Sequence, residues 1–191
     1  MPQLHLASQS ARRQQILAAL GLTFTAAGVD ADERRIEGES PEAMVLRLAE
    51  VKAAAAGADD STVVIGADTA VVLGDRVFGK PSGEADCLAM LEALSGQTHR
   101  VLTGVAVRSG GRIEAAMSAT DVTFREISPD EALLYWQSGE PRDKAGAYAI
   151  QGKGGVFVAA ISGSYSGVVG LPVYETVQLL YRAGIEVLIN E

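Results

Sequence analysis

VVIGADTAVVLGDRVFGKP, residues 63–81, places one carboxylate inside an otherwise apolar stretch. Val63–Ile65 predicts a buried strand, Ala70–Leu73 a second, and Gly74-Asp75 a tight turn into Arg76–Phe78. Gly66, Ala67, Asp68 and Thr69 stand between the first two strands, and Lys80-Pro81 closes the stretch. A carboxylate in an apolar run is costly unless a cation, a metal or hydrogen bonds compensate it. Asp68 is therefore either the centre of a site or an exposed carboxylate at a strand end, and this stretch alone leaves both readings open.

The surrounding composition limits the choices. With 191 residues, 48% hydrophobic and 21% charged, the chain suits a single domain over 1–191, built as one body or as two lobes. A net charge of -8 and a pI near 4.8 argue against a nucleic-acid partner, because phosphate-backbone binding needs a basic face that displaces counterions. The one cysteine, Cys87, rules out an internal disulfide framework and reads as a buried structural thiol. Met1–Leu6 is too short for a signal-peptide core and no apolar run reaches the length of a membrane span. The expected setting is the cytoplasm, with no membrane partner.

Upstream of the central stretch, Leu4–Ala7 predicts a short strand followed by Ser8-Gln9-Ser10-Ala11-Arg12-Arg13 and an amphipathic helix carrying Ile16, Leu17 and Leu20. Ser10 is the expected N-cap. The free N–H groups of the first turn, the two serine hydroxyls and the two arginines make an anion site for which phosphate fits best; the alternative is a cap beside two solvated arginines. His5 reads as a core or edge histidine. After an apolar run from Leu22 to Ala27, the segment Asp30-Ala31-Asp32-Glu33-Arg34-Arg35 is either a solvated loop or a source of an oxygen ligand for Mg²⁺. Ser40 and Pro41 open a helix with Met44, Val45, Leu48 and Val51 on one side and Lys52 near its end, facing either solvent or the site.

Downstream, a helix is expected from Ser82 with Ala85, Leu88, Leu91 and Leu94 inward. Thr98–Val107 and Arg112–Phe124 form a hairpin around Ser109-Gly110-Gly111, and Pro129–Gln137 is a short helix in which Trp136 packs. The next polar island runs from Asp143 to Gly155. Its glycines permit close backbone approach to a ligand, Lys144 can meet phosphate, and Gln151 offers an amide able to read a base edge; the alternative is a flexible loop. Val156–Ile161 is an expected strand, Ser162–Gly167 a loop, and Gly170-Leu171-Pro172 the entry to a last helix.

LASQSARR near the start, GADTAVV with GKP, LSGQTHRVLTGV from Leu94 to Val105, and GEPRDKAGAYAIQGKGG running on to SYSGVVGLP together resemble the Maf family of nucleoside triphosphate pyrophosphatases over essentially the whole chain. The resemblance implies a mixed α/β fold of the inosine-triphosphatase-like kind, with an elongated twisted sheet flanked by helices, two lobes around a deep cleft, and a homodimer. The ADT and KAGAYAIQG segments are similar to the branch acting on dTTP and UTP, with Thr69 and Gln151 carrying the distinction. By that resemblance Asp68 is the proton acceptor or a metal ligand, and Arg12, Thr69 and Gln151 are tied to substrate choice. Ser8, Arg13, Lys52, Lys80 and Lys144 are implied contacts to substrate, and Glu33 is a partner for Mg²⁺ or Mn²⁺. Two departures stand out: Ala11 occupies a position where Pro is usual, and Ser166-Gly167 replaces a bulkier polar residue.

The expected reaction is attack of water on the α-phosphorus of a nucleoside triphosphate, a house-cleaning activity on canonical or modified pyrimidine nucleotides. Alternatives are a same-fold enzyme for modified purine nucleotides and a nucleotide-binding regulator of septum formation. A regulator would not need Asp68 together with Arg12, Arg13, Lys52, Lys80 and Lys144, so the set favours an enzyme.

Overall fold

A computed structural model describes residues 2–188. Its strands are β1 (Gln3–Leu6), β2 (Thr25–Ala26), β3 (Thr62–Leu73), β4 (Arg76–Phe78), β5 (Thr98–Ser109), β6 (Arg112–Phe124) and β7 (Val158–Ser162). Its helices are α1 (Ala11–Ala19), α2 (Pro41–Ala55), α3 (Glu84–Leu94), α4 (Pro129–Gln137), α5 (Tyr165–Val169) and α6 (Val173–Arg182). The strands make one seven-stranded mixed sheet in the order β2-β1-β3-β5-β6-β7, with β4 paired to β3 off that path. β1 runs parallel to both β2 and β3, as strands joined through helices do, whereas β3–β4 and β6–β7 are antiparallel. Gly110 and Gly111, both at positive φ, turn β5 into β6. Among the described residues no helix is long and apolar enough to cross a membrane.

The chain divides into two compact units. The first comprises the residues up to Asp68, Thr103–Ser118 and those from Gly170 onward; the second is Thr69–Leu102 with Ala119–Val169.

Packing in the first unit follows the period-two alternation of β3. Val63, Ile65 and Ala67 join Leu4, Leu6, Leu17, Leu171 and Leu180 in one cluster. Val64 turns the other way, onto Ala49 and Ala53 of α2. α2 starts where the sequence predicts, with Ser40 Oγ accepting from the Ala43 N–H at 3.2 Å and Pro41 in the first turn. It lies unusually close to the sheet. A Cβ at Gly66 would collide with the Ala49 carbonyl and stand 2.6 Å from Ala53 N, and a Cβ at Gly104 would collide with the Val45 carbonyl. Only glycine permits either contact.

That close seat explains the main difference from the sequence reading. The GADT segment is no turn between two strands: β3 continues from Thr62 to Leu73. Gly66 serves as the notch for a helix rather than as a break. Other differences are local. α3 begins at Glu84, because the Ser82 N–H and Oγ both bond the Asp86 carboxylate ahead of it, at 2.9 and 3.1 Å. Ala85 is exposed, and the buried face is Cys87, Met90, Leu91 and Leu94. Lys153–Phe157 forms a 3-10 turn that delays the last strand to Val158. Tyr165–Val169 is helical rather than looped, with Ser164 Oγ accepting from the Gly167 N–H at 3.0 Å.

In the second unit Phe78, Leu91, Leu94, Phe124, Tyr135, Tyr148 and Phe157 build the core around β5 and β6. Cys87 sits within it; burial, followed by the charges of Asp86 and Glu84, pushes its thiol up to about 11. His99 is also enclosed there, sharing a 2.9 Å hydrogen bond with the Tyr148 hydroxyl and meeting the Phe124 ring edge-on at 4.8 Å. Its Nδ1 has no hydrogen-bond partner among the described residues.

Burial lowers the His99 pKa from 6.5 to about 4. The unfolded chain thus takes up a proton on this ring before the folded chain does. The stability contributed by keeping this ring neutral is complete above pH 6.5 and lost as pH falls toward 4, by up to about 3 kcal/mol. Thermal melts should show a steeper decline for the wild type than for His99→Gln between those pH values; parallel curves would exclude His99 as the source.

Candidate active site

In the first unit the notch sets the geometry. Gly66 and Asp68 share the face of β3 that meets α2, and the helix pressed into Gly66 carries Lys52 beside Ala53. Lys52 is 8% exposed, and its ammonium lies 2.6 Å from Asp68 Oδ1 and 2.8 Å from Glu33 Oε1. Asp68 is thus a largely buried carboxylate compensated by a cation, and the strand-end alternative is set aside. Glu33 reaches Lys52 from the irregular segment before α2 and remains mostly exposed.

The LASQSARR segment forms the strand, turn and helix its pattern predicts. Ser10 caps α1 by accepting from the Arg13 N–H at 3.5 Å. Ser8 Oγ accepts from the Ser10 N–H and from Arg13 Nη1, each at 3.2 Å. Arg13 Nε donates to the Gly170 carbonyl at 2.8 Å, so its guanidinium is held at two points. Burial lowers the Arg13 pKa; the nearby Asp68 charge opposes this, Arg12 adds to it, and Glu33 opposes it more weakly. Arg13 therefore feels the charges of Asp68, Arg12 and Glu33. Arginine stays protonated through such a shift, leaving a fixed cation pair at a helix start that suits an anion.

In the second unit Thr69 leaves β3 on the face opposite Asp68, the face also used by Val71. Gly146 closes on Val71 so tightly that a Cβ there would lie 2.9 Å from its Cγ1. The Gly146 N–H also donates to the Gly79 carbonyl at 3.0 Å, tying the Lys80 turn to the Lys144–Tyr148 segment. Lys80 is exposed, and Lys144 pairs with its neighbour Asp143. Ala147 has φ +58, the one non-glycine residue at positive φ among those described. Such strain is retained where the surroundings over-determine it. Gln151 is exposed on the loop that follows.

Sequence reasoning passed over one contributor, the Gly170 carbonyl that holds Arg13. A backbone carbonyl has no residue signature.

For a metal, the described residues hold no group of three or more His, Cys, Asp or Glu side chains suitably placed. They do bring Glu33 and Asp68 onto one cation. Mg²⁺ is commonly held by one or two carboxylates and the phosphates of a substrate. Glu33 and Asp68 thus fit such an ion in number and in chemistry.

Residues 3–183 match the family described as Maf-like protein. The chain belongs to that family. A protein of Pseudoalteromonas atlantica named dTTP/UTP pyrophosphatase is 51% identical over 184 residues, 94% of this chain and 96% of its own length. Proteins of the same name from Saccharophagus degradans and Anaeromyxobacter dehalogenans are 52% and 51% identical, covering 93% and 96% of this chain and 87% and 95% of their own. Among solved structures, a HAM1 protein from Coxiella burnetii aligns over 75% of this chain and 92% of its own at 14% identity and a TM-score of 0.45, a likeness too slight to carry an argument.

If Lys52 compensates Asp68, the pair must be energetically coupled. Lys52→Met should destabilise the protein by about 1–3 kcal/mol, and Lys52→Met combined with Asp68→Asn should recover part of that loss, with a coupling of about 1 kcal/mol or more in a denaturation cycle. Strictly additive effects would show that the two charges do not depend on each other.

Proposed function

We propose that this Maf-like protein is a nucleoside triphosphate pyrophosphatase that cleaves dTTP and UTP, or modified pyrimidine relatives of them, to the monophosphate and pyrophosphate. The observation that carries the reading is the Glu33–Lys52–Asp68 linkage beside the Arg12-Arg13 helix start. Relatives about half identical over nearly their full length, and named for this activity, support it further.

Water attacks the α-phosphorus, a new O–P bond forms, and the bond to the bridging oxygen of the β-phosphate breaks. Lys52 fixes Asp68 Oδ1, leaving Oδ2 to orient the water and take its proton. Arg12 and Arg13 are the cations the first unit offers to the triphosphate and its leaving pyrophosphate, and Lys80 and Lys144 those the second unit offers; one such contact is worth about 10²-fold in rate or more. In the alternative role Asp68 would join Glu33 in holding Mg²⁺ or Mn²⁺ carried in with the triphosphate, and the ion would supply Lewis acidity and further charge neutralisation. Gln151 reads the base edge that thymine and uracil share. A missing hydrogen-bond match can cost about 10⁴-fold, whereas the methyl that separates the two bases is worth ~1–3 kcal/mol. The single, buried Cys87 suits a reducing compartment such as the cytoplasm, and the family resemblance adds a homodimer to the reading.

Asp68→Asn should abolish pyrophosphate release while nucleotide binding stays measurable by calorimetry; retained turnover would remove Asp68 from the chemistry and favour a binding protein in which hydrolysis is incidental. In a panel of triphosphates with Mg²⁺, dTTP and UTP should be cleaved with kcat/KM within about 100-fold of each other and at least about 10³-fold above dGTP and GTP. Comparable rates on purines would refute the pyrimidine assignment.

A further inference from the structure

Glu140 is a half-buried carboxylate that neither the proposed chemistry nor the phosphate contacts use. Both of its oxygens are engaged. Oε1 accepts from the Tyr135 hydroxyl at 2.7 Å and from the Gly154 N–H at 3.0 Å, and Oε2 accepts from the Lys153 N–H at 3.0 Å. The Tyr135 hydroxyl in turn accepts from the Ala149 N–H at 3.0 Å. Gln151 stands between these anchored amides, two residues after Ala149 and two before Lys153.

Glycine makes the arrangement possible. A Cβ at Gly152 would collide with Glu140 Oε2, and one at Gly154 would collide with the Tyr135 hydroxyl. The loop closes further through its own bonds from the Gly152 N–H to the Ala149 carbonyl and from the Gly155 N–H to the Gly152 carbonyl, both 3.1 Å. Burial raises the Glu140 pKa, but the Gly154 and Lys153 amides, the Tyr135 hydroxyl and the Lys144 charge outweigh it and hold the group below its ordinary range. The carboxylate stays ionised, which lets both oxygens act only as acceptors.

We infer that Glu140, through Tyr135 and the amides of Lys153 and Gly154, is a positioning residue that fixes the Gln151 loop for base recognition. This rests on the pyrimidine reading of the site. Glutamine at 140 keeps the shape but exchanges one acceptor for an NH₂ group facing an N–H donor, so the loop must let go on that side. Phenylalanine at 135 removes the bridge to Ala149 while leaving the ring in the core.

The test compares wild type with Glu140→Gln and Tyr135→Phe, using hydrogen exchange and steady-state kinetics. Exchange at Lys153 and Gly154 should quicken by about tenfold or more in Glu140→Gln, with the β5 and β6 amides unchanged. On saturating UTP, kcat should fall less than about threefold while KM rises about tenfold, and the preference for UTP over GTP in kcat/KM should narrow by about tenfold. Tyr135→Phe should move the same quantities in the same direction to a smaller extent. Unchanged exchange in the loop overturns the anchor, and an equal loss on every nucleotide overturns its role in recognition. A wild type that cleaves no pyrimidine triphosphate overturns the functional reading itself, and the exchange data then decide the anchor alone.

Discussion

The near approach of α2 to the sheet is the constraint on which the rest depends. Gly66 and Gly104 leave space where Cβ atoms would strike the Ala49 and Val45 carbonyls, and the alanines of the helix match that space from the other side. A helix seated this deeply has little freedom to shift or rotate, because interiors are packed like crystals rather than liquids. Lys52 follows Ala49 by about one turn, so its position is set by packing and not by its own charge. The ion pair it makes with Asp68 then joins two side chains that packing already confines, which limits the entropic cost that usually erodes such pairs. A lysine buried near the sheet would be a burden without that carboxylate, and Asp68 would be a burden without the lysine.

Order in the polar segments of the second unit comes from a different source. There the backbone is irregular, and buried or half-buried side chains take over the role that ladders play elsewhere. Glu140 and Tyr135 satisfy three amides that no strand or helix reaches. Gly146 packs on Val71 and bonds the Gly79 carbonyl, while Ala147 is held in a conformation it would not choose alone. Each unit thus fixes its polar groups by means suited to its backbone, a helix seat in one and a carboxylate clasp in the other.

Much of this could be read from the residues. The caps at Ser10 and Ser40, the Gly110-Gly111 hairpin, the helix at Pro129–Gln137 and the buried Cys87 all follow from local chemistry, and local chemistry is what a sequence displays. Two strands are expected where β3 is continuous, because a glycine in a strand signals either an interruption or a close neighbour, and the neighbour of Gly66 lies in α2, remote in the chain. For the site, Ser8, Arg13, Glu33, Lys52 and Asp68 were nameable in advance through the family resemblance, and the structure brings these five into one network in the first unit. Pairing between them was not legible, since whether Lys52 meets phosphate or carboxylate depends on distances. Thr69 shows the limit well: its place next to Asp68 suggests a common environment, yet strand alternation sends the two side chains to opposite faces.

The segment from Gly170 to Leu180 has one further implication. Its Leu171, Leu179 and Leu180 fill the cluster beneath β1 and β3, and the Gly170 carbonyl holds Arg13. During synthesis the N-terminal residues emerge well over a hundred residues earlier and must wait, with an incomplete core, until this segment clears the ribosome. The arginine cradle is therefore assembled only after the Gly170 segment has emerged. A nascent chain displaying LASQSARR has the right residues for an anion and no geometry with which to hold one.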